Sequence, residues 1–311
     1  MPARPLRIGT RSSPMALYQA NLVRDRLRAA HPELADEAAV VLVPIRTTGD
    51  RVQNRLLAEI GGKGLFTKEI EEALLDGRID LAVHSLKDME TFLPPGLEIG
   101  CVLARDDPRD AVVSSGGLRL SELSSGARVG TASLRRRAQI LQMRPDFDVR
   151  PIRGNVNTRL AKLNGGEVDA LILALCGLER LGLAGLASEV LATSVMLPAV
   201  GQGVLAVENR NDDVEVRRAL APLHDADTAV CITAERAMLA ALDGSCRTPI
   251  GGFAELDGGE LVLDALLLSP NGTAERRGQI RGAAADAMAL GAELGEQLRR
   301  NAGPEFGLEP G

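Results

Sequence analysis

The sequence predicts an α/β protein: two doubly wound α/β domains, then a smaller α+β domain with a small antiparallel sheet. Three observations predict it. Short apolar runs alternate with amphipathic segments as far as about Glu208, the rhythm of strands joined by helical crossovers in a mostly parallel sheet. Polar or glycine- and proline-rich stretches at Ala104–Asp110 and Leu197–Gly203 interrupt that rhythm, so the chain is expected to cross between two domains twice. From about Asp225 the pattern changes to a long helix, strand-like runs and a final helix. The expected domains are 1–103 with 204–222, then 109–198 inserted into the first, then 225–311.

The elements follow in order. Leu6–Thr10 reads as a buried strand, and Ser12-Ser13-Pro14 supplies an N-cap and a proline at the first helical position. Met15, Leu17, Leu22, Val23 and Leu27 mark that helix. Val40–Ile45 is a second strand, Gly61–Gly64 a flexible loop, Leu65–Asp76 a helix, and Leu81–Val83 a third strand running into His84-Ser85-Leu86-Lys87-Asp88. In the second domain, strands at Arg128–Gly130, Val149–Ile152 and Val168–Leu175 alternate with helices at Ser133–Met143 and Val156–Leu163. Val204–Glu208 is the returning strand. The third domain has helix Ala226–Leu242, strands Gly252–Leu256 and Glu260–Leu268, and a helix near Ala283–Arg299.

Composition narrows the function. With 45% hydrophobic and 25% charged residues, the 311-residue chain is globular. Aromatics make up 2% and Trp is absent, so the core is built from Leu, Val, Ile and Ala, and the scarcity argues against a base-stacking platform for single-stranded nucleic acid. A net charge of −6 argues against a general nucleic-acid binder. Cys101, Cys176, Cys231 and Cys246 form no CxxC pair and His31, His84 and His224 are scattered, so no metal site is expected. No signal-like or membrane-spanning apolar run is present; a cytoplasmic protein with free thiols is expected.

Of 36 basic residues only Lys63, Lys68, Lys87 and Lys162 are lysines, which leaves 36 − 4 = 32 arginines. A GC-rich genome could account for their number, but their placement is not random. Gly130-Thr131-Ala132-Ser133-Leu134-Arg135-Arg136 and Arg153-Gly154-Asn155-Val156-Asn157-Thr158-Arg159 both stand where a strand hands over to a helix. Arg11-Ser12-Ser13 and Ser85-Lys87-Asp88 hold the same place in the first domain. In doubly wound sheets that end of the strands faces the ligand crevice, and helix N-termini with guanidiniums bind anions. Arginine suits bidentate carboxylate recognition. A small, multiply anionic substrate in an arginine-lined cleft is the expected ligand.

Two further residues invite chemistry. Asp88 is a carboxylate among cations: either a charge-balancing partner of Lys87 or a nearby arginine, or a general acid/base that stabilises a cationic intermediate. Cys246, in Gly244-Ser245-Cys246-Arg247, has the adjacent cation that favours a reactive thiolate, although a lone loop cysteine is also compatible with no role. The GxGxxA match at Gly201–Ala206 is followed by a strand-like run and fails as a dinucleotide motif, and Gly62-Lys63-Gly64 is no Walker loop. A non-enzymatic anion-binding clamshell would explain the arginines and the hinge but leaves Cys246 and the third domain without a role.

Taken together and in this order, the Arg7–Arg11, Gly61–Phe66, His84–Asp88, Gly130–Arg136, Arg153–Arg159, Ala199–Gly203 and Ser245–Arg247 motifs resemble the porphobilinogen deaminase (hydroxymethylbilane synthase) family from end to end. The resemblance implies two domains like periplasmic binding proteins and a third bearing a dipyrromethane cofactor, bound through a thioether to Cys246. It implies head-to-tail joining of four porphobilinogen units, with loss of ammonia, to hydroxymethylbilane. By position, Asp88 would be the catalytic carboxylate, bonding pyrrole N–H groups and stabilising the azafulvene cation left as ammonia departs. Cofactor contacts would come from Ser85, Lys87, Thr131, Ser133, Arg135, Arg136 and Arg153, and substrate contacts from Arg11, Ser13, Gln19, Lys63, Phe66, Arg159, Arg180 and Gln202. A monomer with no nucleic-acid or membrane partner is expected. The chain departs from the family at Glu90, commonly proline, and at Glu59, often basic.

Overall fold

The computed structural model describes residues 4–51, 67–242 and 248–308. The chain divides into two compact units, Met1–Arg105 with Val204–Ala229, and Asp106–Gly203 with Val230–Gly311.

In the first unit, β1 (Leu6–Arg11), α1 (Pro14–Ala30), β2 (Val40–Ile45), the short α2 (Thr48–Arg51), α3 (Lys68–Leu75), β3 (Leu81–Ser85) and β4 (Leu97–Val102) precede the crossing. Helix α1 starts as its sequence dictates: the Ser13 hydroxyl accepts from the Ala16 N–H and Pro14 needs no hydrogen-bond acceptor. The second unit carries β5 (Asp110–Ser114), β6 (Arg128–Gly130), α4 (Leu134–Met143), β7 (Asp148–Arg150), α5 (Val156–Asn164), β8 (Ala170–Ala174), α6 (Leu175–Arg180) and β9 (Glu189–Leu191). The chain then returns to the first unit with β10 (Leu205–Arg210) and α7 (Val214–Leu220). Helix α8 (Ala226–Ala241), strands β11 (Ile250–Asp257), β12 (Glu260–Leu268) and β13 (Glu275–Ala283), and helix α9 (Ala287–Arg300) complete it.

The first sheet has the order β2-β1-β3-β10-β4, the other five-stranded sheet β7-β6-β8-β5-β9. The two orders match strand for strand. In each, one strand alone runs against its neighbours: β10 in the first, β5 in the second. These are the strands laid down just after each crossing, so the expected mostly parallel sheets carry one reversed strand apiece. Both faces are covered. On β3, Leu81 and Val83 join the core beneath α1 and α7, while Ala82 packs under Ile70 and Leu74 of α3. In the second sheet Val112 and Ile172 face Ile140 of α4, and Ala111, Val113, Leu171 and Leu173 face Leu163 of α5 and Leu178 of α6. Each such fully buried Val, Leu or Ile side chain contributes about 1.5–3 kcal/mol.

Strands β11, β12 and β13 form a separate antiparallel sheet packed on α8 and α9 through Met238, Leu263, Leu267, Leu294 and Leu298. Strand β13 was not anticipated. Its Glu275, Arg276, Arg277 and Arg281 place charge on an exposed sheet edge, which hides the apolar alternation and discourages edge pairing. The finer split of the second unit, into an α/β domain and a cysteine-bearing α+β domain, remains our proposal.

Candidate active site

The order β2-β1-β3 creates a switch point, because the connections leaving β1 and β3 diverge. A crevice is expected outside the carboxyl ends of those two strands. A pocket lies there, lined by Arg11, Ser13, Met15, Ala16, Gln19, Thr67, Val83, His84, Ser85 and Asp88. Thr10 donates to the Ala16 carbonyl at 3.0 Å, which binds the start of α1 to the end of β1. Gln19, buried on the same helix, donates from Nε2 to the Ser85 hydroxyl at 2.8 Å and so fixes the end of β3. Asp88 closes a single helical turn, Leu86–Asp88, anchored by the buried Leu86. Its carboxylate is exposed and makes no hydrogen bond or ion pair with any described residue. An open carboxylate beside Arg11, Ser13 and Ser85 can accept two N–H bonds or oppose a cation. The ion-pair reading of Asp88 therefore has no partner among the described residues. Lys87 is half-buried and not one of the lining residues.

Behind the pocket lies an acidic cluster that the sequence did not reveal. His84 Nε2 lies 3.1 Å from Glu208 Oε2, and both side chains are buried. Glu71, on α3, is also buried, and burial pushes its carboxyl above the ordinary range, with the charges of Glu208 and Glu90 adding to the effect and His84 opposing it. Oε1 of Glu71 and Oε1 of Glu208 have no hydrogen-bond partner.

The second unit repeats the strand-end geometry. Thr131 and Ser133 follow β6. The Ser133 hydroxyl caps α4 by accepting from the Arg136 N–H at 3.4 Å, and Thr131 accepts from the Ser133 N–H at 3.2 Å. Arg135 and Arg136 turn inward from that helix start. Arg135 donates from Nη2 to Asp110 Oδ2 at 2.8 Å and from Nη1 to the Leu197 carbonyl at 2.6 Å. Arg136 donates to Asp110 Oδ1 from Nε at 3.1 Å and Nη2 at 2.8 Å. Gln202 Nε2 reaches the same oxygen at 2.8 Å and the Pro108 carbonyl at 2.6 Å. Burial alone would raise the Asp110 carboxyl; the two guanidiniums and the Gln202 amide override it and hold the group well below the usual carboxylate range. Arg180 likewise donates to Asp106 and to the Gly203 carbonyl, both at 2.8 Å.

The expected arginines thus differ in availability. Arg135, Arg136 and Arg180 are largely committed to internal carboxylates and carbonyls. Arg153 is half-buried, and its Nη1 has no hydrogen-bond partner, nor has Nε of Arg135. Arg159 bonds the Gly154 carbonyl at 2.8 Å. Lys63, Phe66 and Cys246, with Glu59, lie outside the described residues. Unsatisfied buried guanidinium N–H groups beside a helix start suit a carboxylated ligand such as a dipyrromethane. Sequence reasoning missed Asp110, Asp106, Glu71 and Glu208. Asp110 was readable only as part of the hinge, because the guanidinium that buries it comes from a distant helix.

Comparison with known proteins decides the family. The model described as porphobilinogen deaminase, dipyromethane cofactor binding domain, matches residues 6–218, and that of the porphobilinogen deaminase C-terminal domain matches residues 229–300. The chain belongs to the porphobilinogen deaminase family. A porphobilinogen deaminase of Nitrobacter hamburgensis is 52% identical over 299 residues, 96% of this chain and 94% of the relative. One of Paracoccus denitrificans is 52% identical over 305 residues, 98% of this chain and 97% of the relative. Likeness to solved structures is slight: the aliphatic sulphonate-binding protein SsuA of Escherichia coli has a TM-score of 0.39 at 16% identity, over 78% of this chain and 71% of that one. As a porphobilinogen deaminase family member the chain is an enzyme of the transferase type in porphyrin biosynthesis, and its cofactor is dipyrromethane. No helix among the described residues is long and apolar enough to cross a membrane.

Proposed function

We propose that the chain is a hydroxymethylbilane synthase that joins four porphobilinogen units head to tail and releases one ammonia per unit, with Asp88 as its catalytic carboxylate. The observation that carries this reading is the exposed Asp88 carboxylate, without a partner among the described residues, in a pocket with Arg11, Ser13, Gln19 and Ser85. A carboxylate so placed accepts pyrrole N–H bonds and stabilises the positive charge that develops as the aminomethyl nitrogen leaves. Arg11 and Ser13 take side-chain carboxylates of the substrate, and Gln19 keeps the Ser85 hydroxyl in place. Lys63, Phe66, Arg159, Arg180 and Gln202 complete the proposed substrate contacts.

Dipyrromethane, when bound, supplies the free pyrrole α-carbon from which the chain grows. Cys246 would carry it through a thioether, and Ser85, Lys87, Thr131, Ser133, Arg135, Arg136 and Arg153 would hold its carboxylates and pyrrole nitrogens. We further propose a cytoplasmic monomer without a nucleic-acid partner. The net charge of −6 supports the last of these, since phosphate-backbone binding needs a cationic surface.

Intact mass tests the cofactor assignment. The purified protein should exceed its sequence mass by one dipyrromethane, and Cys246→Ser should remove the excess. An active protein of unmodified mass would refute it. Ammonia release by Asp88→Asn at the parent rate would refute the catalytic assignment.

A further inference from the structure

A side-chain amide inside a protein is costly unless both of its ends are paired. Gln139 of α4 is buried, and a single residue pairs both ends. The Leu197 N–H donates to Gln139 Oε1 at 2.8 Å, and Gln139 Nε2 donates to the Leu197 carbonyl at 3.1 Å. The glutamine thus grips the backbone of Leu197 at both polar groups. The other side of that segment is held by the three-stranded sheet. The Pro198 carbonyl accepts from the Gly252 N–H at 2.9 Å, and a Cβ on Gly251 would sit 3.2 Å from the Leu197 carbonyl oxygen. The Leu197 side chain packs with Ala138 of α4 and with Leu266 and Leu268 of β12. Leu197 and Pro198 therefore tie α4 to β11, the strand that begins shortly after Cys246 in the sequence.

The Leu197 carbonyl has a second donor. Arg135, one turn before Gln139 on α4, reaches it from Nη1 at 2.6 Å and reaches Asp110 Oδ2 from Nη2 at 2.8 Å. A guanidinium is planar, so fixing two nitrogens fixes the direction of the third. That third nitrogen, Nε, is buried and has no hydrogen-bond partner among the described residues. With Asp110 alone the Arg135 group could turn about one hydrogen bond. The Leu197 carbonyl removes that freedom, and Gln139 sets where the carbonyl lies. Arg136 needs no such aid: its Nε and Nη2 both hold Asp110 Oδ1, and its Nη1 donates to the Ile172 carbonyl at 3.2 Å.

We propose that Gln139 is a positioning residue for the reaction: by fixing the Leu197 carbonyl it aims Arg135 at the dipyrromethane. The inference rests on the assignment of Arg135 to the cofactor. Guanidinium–carboxylate bonds are strong and directional, so a turned Arg135 holds a cofactor carboxylate less well. It also lets the pyrrole α-carbon from which the chain grows drift from the incoming unit. A displacement of about 1 Å at a reacting atom can cost on the order of a hundredfold in rate.

Intact mass and steady-state kinetics test this, with the parent, Gln139→Met and Arg135→Lys purified alike. Gln139→Met fills similar space but pairs with neither polar group of Leu197. The share of folded protein that carries dipyrromethane should drop, and kcat per loaded molecule should fall roughly tenfold or more. KM for porphobilinogen should change less than about twofold, because the proposed substrate contacts are left in place. Arg135→Lys should show the same pattern. A loss confined to the thermal midpoint of Gln139→Met, with parent loading and parent kcat, overturns the proposal and reduces the amide to pairing a buried backbone. Parent loading and kcat in Arg135→Lys as well would mark the cofactor assignment of Arg135 as the failed step. Should Gln139→Met not fold, Gln139→Glu decides. Its carboxylate still accepts from the Leu197 N–H but repels the carbonyl, so loading and kcat should fall, and parent values of both overturn the proposal.

Discussion

Arg136 grips the fully buried Asp110 through two nitrogens on one oxygen, Nε at 3.1 Å and Nη2 at 2.8 Å, while Arg135 holds the other oxygen at 2.8 Å. Removing the carboxylate strands two guanidiniums in the interior. Asp110→Asn should cost about 3–5 kcal/mol in urea unfolding at pH 7. The native carboxyl lies below its unfolded value, so its contribution is present above about pH 4 and is lost as pH falls below that. The parent should therefore lose more stability than Asp110→Asn between pH 5 and pH 2.

Glu71 titrates in the opposite sense. Its native carboxyl is raised, chiefly by burial, so above about pH 4.3 the native state keeps a proton that the unfolded chain releases. Stability then falls as pH rises toward the native value, by about 1.4 kcal/mol per unit of displacement. Glu71→Gln should unfold at higher urea than the parent at pH 7 and show no such gain at pH 4.

Asp88 should matter to turnover and not to folding, because it is exposed and holds no structural partner among the described residues. Asp88→Asn should keep the parent's thermal midpoint and its cofactor mass. Its kcat should fall by roughly 10²–10⁴.

Gly291 tests the α8–α9 contact. A Cβ there would sit 2.1 Å from the Ala234 carbonyl oxygen, backbone that cannot swing aside. Gly291→Ala should cost roughly 1–3 kcal/mol, measured by urea unfolding.

Much of this was legible where pattern and chemistry are local. Ser13-Pro14 marked the start of α1, the helix expected over Ser133–Met143 begins one residue later with Ser133 as its cap, and Glu260–Leu268 was found with both ends correct. What escaped depended on distant partners. Strand β5 begins at Asp110, a charge that looks like hinge until Arg135 and Arg136 neutralise it. Strand β13 hides behind its arginines. The helix after β8 starts within one apolar run, Ala170–Cys176, which carries no signal of the change from strand to helix. In the candidate site, Asp88 and the strand-end arginines stood out by residue type. Glu71 and Glu208 did not, because nothing in a helix or strand sequence tells which carboxylate faces inward.

The place of β10 between β3 and β4 has a consequence for synthesis on the ribosome. Strand β4 reaches the rest of its sheet only through β10, which is encoded after the whole of 106–203. A nascent chain that has emerged only as far as Gly203 carries β4 with no neighbour to bond and the apolar Cys101 and Val102 uncovered. The inserted α/β segment can complete its own sheet first, while the N-terminal one waits. Chaperone dependence should thus be greatest over the interval in which residues 106–203 have emerged and Leu205–Arg210 has not.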